Sequence, residues 1–162
     1  MSYELIRYPD SRLTTEVPAF DFNNPPVDTY KLVEDMLTIM NDKKGIGLSA
    51  NQLGLPYRVF VMRGDEYNYA CFNPKIVSSD DKQTILEEGC LSFPGITVKI
   101  KRPVSVRLRF STASGATDTR TFDGLTARVV QHELDHLNGT LFFNRANKYH
   151  RDKALKGFSY AG

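Results

Sequence analysis

The sequence predicts an α+β fold. Three observations carry this. Leu32, Val33, Met36, Leu37 and Met40 recur at helical spacing near the start of the chain. A long central stretch alternates apolar and polar residues with period two. A second helical stripe then runs through Leu125, Val129, Val130, Leu134 and Leu137. The order helix, many strands, helix belongs to that class. A length of 162 residues fits one domain over 1–162 and can bury a sizeable core.

The elements follow in chain order. Pro9, Pro18, Pro25 and Pro26 punctuate residues 1–25, which read as loop. The first helix is expected over about 27–42, capped by Asp28 or Thr29 and closed by Lys43-Lys44-Gly45. The segment from Gly45 to Gly54 reads as flexible and apolar. Short strands are expected at 58–62 and 69–72, separated by Gly64-Asp65, and further strands at 97–100, 104–110 and 117–122. The second helix spans about 125–137 and stops at Asn138-Gly139. Residues 147–155 form a short terminal helix.

Composition narrows the function. Lys and Arg number 21 against 19 Asp and Glu, a net charge of +2. This argues against a nucleic-acid-coating or polybasic membrane protein, so neither DNA nor a membrane is expected as partner. The start lacks the apolar stretch of a signal peptide, and no run is long enough to span a bilayer. Two cysteines exclude a disulfide-dense scaffold and point to a reducing compartment, the cytoplasm. With three histidines, a metal site must use nearly every ligand the chain has.

The densest chemistry is His132-Glu133-Leu134-Asp135-His136. Residues i and i+4 share a helical face, so both imidazoles can reach one ion, while Glu133 lies about 100° around the helix and can serve a water without being a ligand. Protease patterns with this motif fail here, because position 142 is Phe142 and no Glu follows Glu133. His150 sits among Lys148, Arg151 and Lys153, where it reads as solvated. The third ligand is therefore expected upstream, and Cys90, between Gly89 and Leu91, is the best candidate. A Cys/His/His set leaves a fourth position open, the composition of a catalytic site. Taken alone, Cys90 would read as a small core residue, as Cys71 does within Tyr69-Ala70-Cys71-Phe72.

Three segments together resemble the peptide deformylase family: Gly45-Ile46-Gly47-Leu48-Ser49-Ala50-Asn51-Gln52, Glu88-Gly89-Cys90-Leu91-Ser92 and Gln131-His132-Glu133-Leu134-Asp135-His136. They stand in the family's order at similar spacing. The first also fits a dinucleotide-binding fingerprint formally, but that reading needs a preceding strand and a following helix, whereas here a helix precedes. The resemblance implies mixed and antiparallel sheets packed around the central HExxH helix, plus the N-terminal helix. It implies hydrolytic removal of the formyl group from N-terminal formylmethionine of nascent chains by a metal-bound hydroxide, with release of formate. Cys90, His132 and His136 would hold the ion, typically Fe(II), with Zn, Ni or Co able to replace it.

On the same resemblance, Glu133 handles the proton, and the Gln52 amide and Leu91 N–H hold the oxyanion. The substrate backbone pairs with Ile46, Gly47 and Gly89 like an added strand. An apolar pocket near Leu125 and Val129 takes the methionine side chain. Arg128 is expected to point away from that pocket. Glu88 and Arg102 either fix the cysteine loop or form a solvated pair of little energetic weight. Many bacterial members continue into a long basic helix used at the ribosome; only about twenty residues follow Phe143 here, as in forms carried by some phages, so docking by that helix is not expected. A monomer is expected. The competing readings are a metal-dependent peptidase with the same three ligands and a non-catalytic metal-bound interaction module.

Overall fold

Asp28 fixes the start of the first helix. In the computed structural model, which describes residues 3–161 and the side chains of 3–156, its carboxylate accepts from Tyr30 N–H at 3.0 Å and Lys31 N–H at 3.3 Å. Helix α1 (Thr29–Asp42) therefore begins one residue after that cap and buries Leu32, Met36 and Met40. Thr29, the other expected cap, instead turns its hydroxyl to the Ala113 carbonyl at 2.6 Å. The chain leaves the helix through Lys44, which takes a positive φ of 58°.

The segment expected to be a flexible stretch is ordered, and Leu48 to Leu53 within it are buried. It forms β1 (Gly47–Ser49) and a 3-10 turn (Ala50–Leu53). The reason is pairing: β1 lies antiparallel against β2 (Val59–Arg63), with Leu48 opposite Val61. The remaining strands are β3 (Asn68–Ser79), β4 (Gln83–Cys90), β5 (Phe93–Pro103), β6 (Ser105–Ser111) and β7 (Thr117–Asp123). Helix α2 (Gly124–Leu137), a second 3-10 turn (Phe142–Arg145) and α3 (Lys148–Ala161) complete the order. The last helix begins where the sequence placed it and runs further.

Five strands form one sheet in the order β1-β2-β3-β6-β7, and β4-β5 form a separate hairpin. Every pairing among the described residues is antiparallel, which corrects the expected mixture of directions. Short turns join β2 to β3, β4 to β5 and β6 to β7, and only antiparallel pairs can be closed that tightly. The β4-β5 hairpin is an excursion between β3 and β6.

This arrangement decides what surrounds α2. Strand β2 is buried on both faces, which explains its unbroken apolar run. Val59 and Val61 meet α1, with Leu48 and Phe72. Phe60 and Met62 point to the other face, with Cys71, Val106 and Leu108, against Ala127, Val130 and Leu137 of α2. A third apolar group joins β5, through Phe93, Ile96, Val98 and Ile100, to Leu13, Phe142 and Phe143. Helix α2 thus lies between sheet and hairpin, and every residue from Ala127 to Leu137 is buried. Six of these are polar or charged (Arg128, Gln131, His132, Glu133, Asp135, His136), so each needs a partner inside the protein.

Candidate metal centre

One helical turn separates His132 from His136, and the end of β4 brings Cys90 to them. Cys90 Sγ lies 3.1 Å from His136 Nε2. A ligand atom from each of Cys90, His132 and His136 falls within 4.8 Å of the others. The far nitrogen of His132, Nδ1, lies 2.9 Å from Glu88 Oε1. An ionised carboxylate only accepts, so Nδ1 carries a hydrogen and Nε2 is the nitrogen that can face an ion. Burial opposes a charge on this ring, but Cys90 and Glu88 beside it push its pKa well above the usual histidine range, so an ion bound at Nε2 would displace a proton. One thiolate sulfur and two imidazole nitrogens, with a fourth direction open to a cleft, fit a divalent metal in a catalytic rather than a closed structural site. Burial, with the nearby His132 and Arg102, holds His136 well below the usual histidine range, which favours the neutral form a ligand needs.

Behind the ligands runs a chain of buried charges. Arg102 donates to Glu88 through Nε at 2.6 Å and Nη2 at 3.0 Å, and to Asp135 through Nη1 at 2.8 Å. Arg145 adds two bonds to Asp135, the shorter at 2.8 Å. Burial opposes the Glu88 charge, but the bonds from His132 and Arg102 outweigh it and lower its pKa to about 2. The Glu88–Arg102 pair is therefore buried and oriented toward the histidine, the first of the two alternatives drawn from the sequence. Arg128 lines the cleft, and its guanidinium is held by the hairpin: it donates to Glu88 Oε2 at 2.7 Å, the Ile100 carbonyl at 2.8 Å and the Thr84 carbonyl at 2.8 Å, stitching β4-β5 to α2.

On the other side of the cysteine, Gln52 Nε2 lies 3.5 Å from Cys90 Sγ and 3.2 Å from Ser92 Oγ. Its Oε1 accepts from the Ser49 N–H at 3.0 Å, which fixes which end of the amide faces the site. Glu133 accepts at Oε1 from Ser49 Oγ at 2.8 Å. Burial raises the Glu133 carboxyl above its usual range, against the influence of His132 and Ser49. Gly47 passes so close that a Cβ there would sit 2.7 Å from Glu133 Oε2, so only glycine fits.

These groups line a cleft of about 600 Å³. Ile46, Gly47, Gly89, Leu91, Leu125 and Val129 all line it together with Gln52, Cys90, His132 and Glu133, so the sequence-derived set is brought together. His136 is buried outside the lining, with Nε2 3.1 Å from Cys90 Sγ. Leu125 and Ile46 form an exposed apolar rim, at 62% and 47% exposure, whereas Val129 is buried. Sequence reasoning gave no role to Ser49, Asn51, Ser92, Asp135 or Arg145. Asn51 donates to the His136 carbonyl at 2.6 Å, and Arg58 to the Leu137 carbonyl at 3.0 Å, so both tie down the end of the ligand helix. The Ser-x-x-Gln spacing of Ser49 and Gln52 was a readable capping signal; the other partners carry no local pattern.

The fold and the site point to a class: a metal-dependent hydrolase, with a Cys/His/His group that could hold an ion and a carboxylate beside it. Comparison with known proteins makes the class specific. The family model for polypeptide deformylase matches residues 2–152. A peptide deformylase of Afipia carboxidovorans is 37% identical across 98% of this chain and 94% of its own length, and one of a Bradyrhizobium species is 38% identical over the same shares. A solved plant peptide deformylase superposes with a TM-score of 0.92 at 33% identity, covering 99% of this chain and 89% of the other. That of Thermus thermophilus gives 0.91 at 33%, covering 98% and 94%. The chain belongs to the polypeptide deformylase family, metal-dependent hydrolases that remove the N-formyl group from nascent peptides.

Proposed function

We propose that this chain removes formyl groups with Cys90, His132 and His136 as metal ligands and Glu133 as the proton-handling residue. The observation that carries the assignment is the convergence of one sulfur and two imidazole nitrogens within 4.8 Å at a cleft that Glu133 also lines. Fe(II) is the ion proposed for the cell; Zn, Ni and Co suit the same donors. A bound divalent ion supplies Lewis acidity toward water and the formyl carbonyl. Glu133 takes a proton from water and returns one to the leaving amine. Gln52 Nε2 and the Leu91 N–H donate to the oxygen on which negative charge develops. The peptide backbone pairs with Ile46, Gly47 and Gly89, and the methionine side chain lies against Leu125, Val129 and the aliphatic stem of Arg128. The protein works as a cytosolic monomer on nascent chains near the ribosome; no helix among the described residues is long and apolar enough to cross a membrane.

The test uses protein purified without oxygen and loaded with Fe(II), incubated with formyl-Met-Ala-Ser. Formate should appear while the internal peptide bonds stay intact, acetyl-Met-Ala-Ser should be untouched, and a chelator should stop the reaction. Cleavage of an internal bond without formate would support a peptidase instead.

A further inference from the structure

We propose that Ser49 is a positioning residue for Glu133 and decides which of its two oxygens handles the proton. The proposal rests on the deformylase reading above. Ser49 is 0% exposed, and its hydroxyl lies 2.8 Å from Glu133 Oε1 and 3.0 Å from the Glu133 main-chain carbonyl. A hydroxyl has one hydrogen to give. The carboxyl oxygen is the nearer of the two acceptors, at 2.8 Å against 3.0 Å, so the hydrogen goes to Oε1. Oε1 is thereby tethered to the β1 end of the structure.

The other oxygen is outside that bond. Glu133 Oε2 faces Gly47, where an added Cβ would come within 2.7 Å of it and within 2.8 Å of Val129 Cγ1. The bare glycine backbone leaves that oxygen room, and both Gly47 and Glu133 line the cleft. Oε2 is therefore the proton-handling atom and Oε1 the anchored one. The main-chain N–H of Ser49 meanwhile bonds Gln52 Oε1 at 3.0 Å and turns Nε2 toward Cys90. One residue sets the direction of two polar side chains on different elements, which is the kind of fixed geometry that orientation-dependent catalysis requires.

A purely structural serine would only satisfy the Glu133 carbonyl. The two roles separate in kinetics. Wild type, Ser49→Ala, Ser49→Gly, Glu133→Ala and the double variant Ser49→Ala/Glu133→Ala are loaded with Fe(II) and assayed for metal content and formate release. Silence of the wild type would overturn the deformylase reading itself, and this proposal with it. With an active wild type, Ser49→Ala should keep one ion per chain and a KM within about two-fold, while kcat falls roughly 10- to 100-fold. Ser49→Gly removes the same hydroxyl and should show the same split if the alanine variant does not fold. In the Glu133→Ala background, removing the hydroxyl should change residual turnover by less than about two-fold, because the partner is gone. Wild-type kcat in both Ser49 variants, or an equal loss with and without Glu133, would overturn the proposal.

Discussion

At the scale of single residues, the two cysteines differ in reach. Cys71 is wholly buried in the apolar face under α2, and burial pushes its thiol well above the usual range. Cys90 is partly accessible beside the cleft. Native metal-free protein treated with iodoacetamide should therefore be labelled at Cys90 alone, and metal loading should protect it; mass spectrometry of the digest reads both sites. Labelling of Cys71 before unfolding would contradict the assigned core. From the sequence, Cys90 alone looked like Cys71, and only the missing third ligand singled it out. The bonding of the Arg128 guanidinium was not legible, because its acceptors, two main-chain carbonyls and Glu88, come from the distant β4-β5 hairpin. Ser49 shows the opposite case: its local link to Gln52 was readable, while its bond to Glu133, a residue 84 positions away, was not.

At the scale of elements, α2 and the β4-β5 hairpin are locked by Arg102. It sits on β5, bonds Glu88 on β4 and Asp135 on α2, and is buried with both. Removing Arg102 takes one cation from two buried carboxylates, leaving Glu88 to Arg128 and His132 and Asp135 to the half-exposed Arg145, which costs about 3 kcal/mol, the lower end for a broken buried pair. Arg102→Ala should lower the unfolding free energy obtained from a urea titration by that amount, a large share of an ordinary domain's stability. Arg145 reaches the same Asp135, but its side chain is 51% exposed. Arg145→Ala should cost under about 1 kcal/mol. Equal losses in the two variants would mean that the network is not the clamp described. The helices were legible because cap, stripe and stop agree, as at Asp28, Leu32–Met40 and Asn138-Gly139. The run from Gly45 to Gly54 was misread because its order comes from pairing with β2 and from the capping exchange between Ser49 and Gln52, and its glycines signal flexibility only until that partner is known.

At the scale of the whole molecule, the fold's work is to bury a polar helix safely. The five-stranded sheet covers one side of α2 and the hairpin the other, and between them the three proposed ligands, the proposed proton carrier Glu133 and the Gln52 amide meet from residues 49–52, 90 and 132–136. Motif order and type were readable along the chain; their meeting depends on the hairpin excursion between β3 and β6, which no local pattern announces. The central claim is that these residues form one metallohydrolase site in which Glu133 moves the proton and is not a ligand. The most direct measurement is formate release per bound metal ion from formyl-Met-Ala-Ser, for wild type against Glu133→Ala. The variant should hold one ion per chain and lose nearly all turnover, by at least about 100-fold, as loss of a general acid–base group does. A metal-replete Glu133→Ala protein turning over at the wild-type rate would contradict the account.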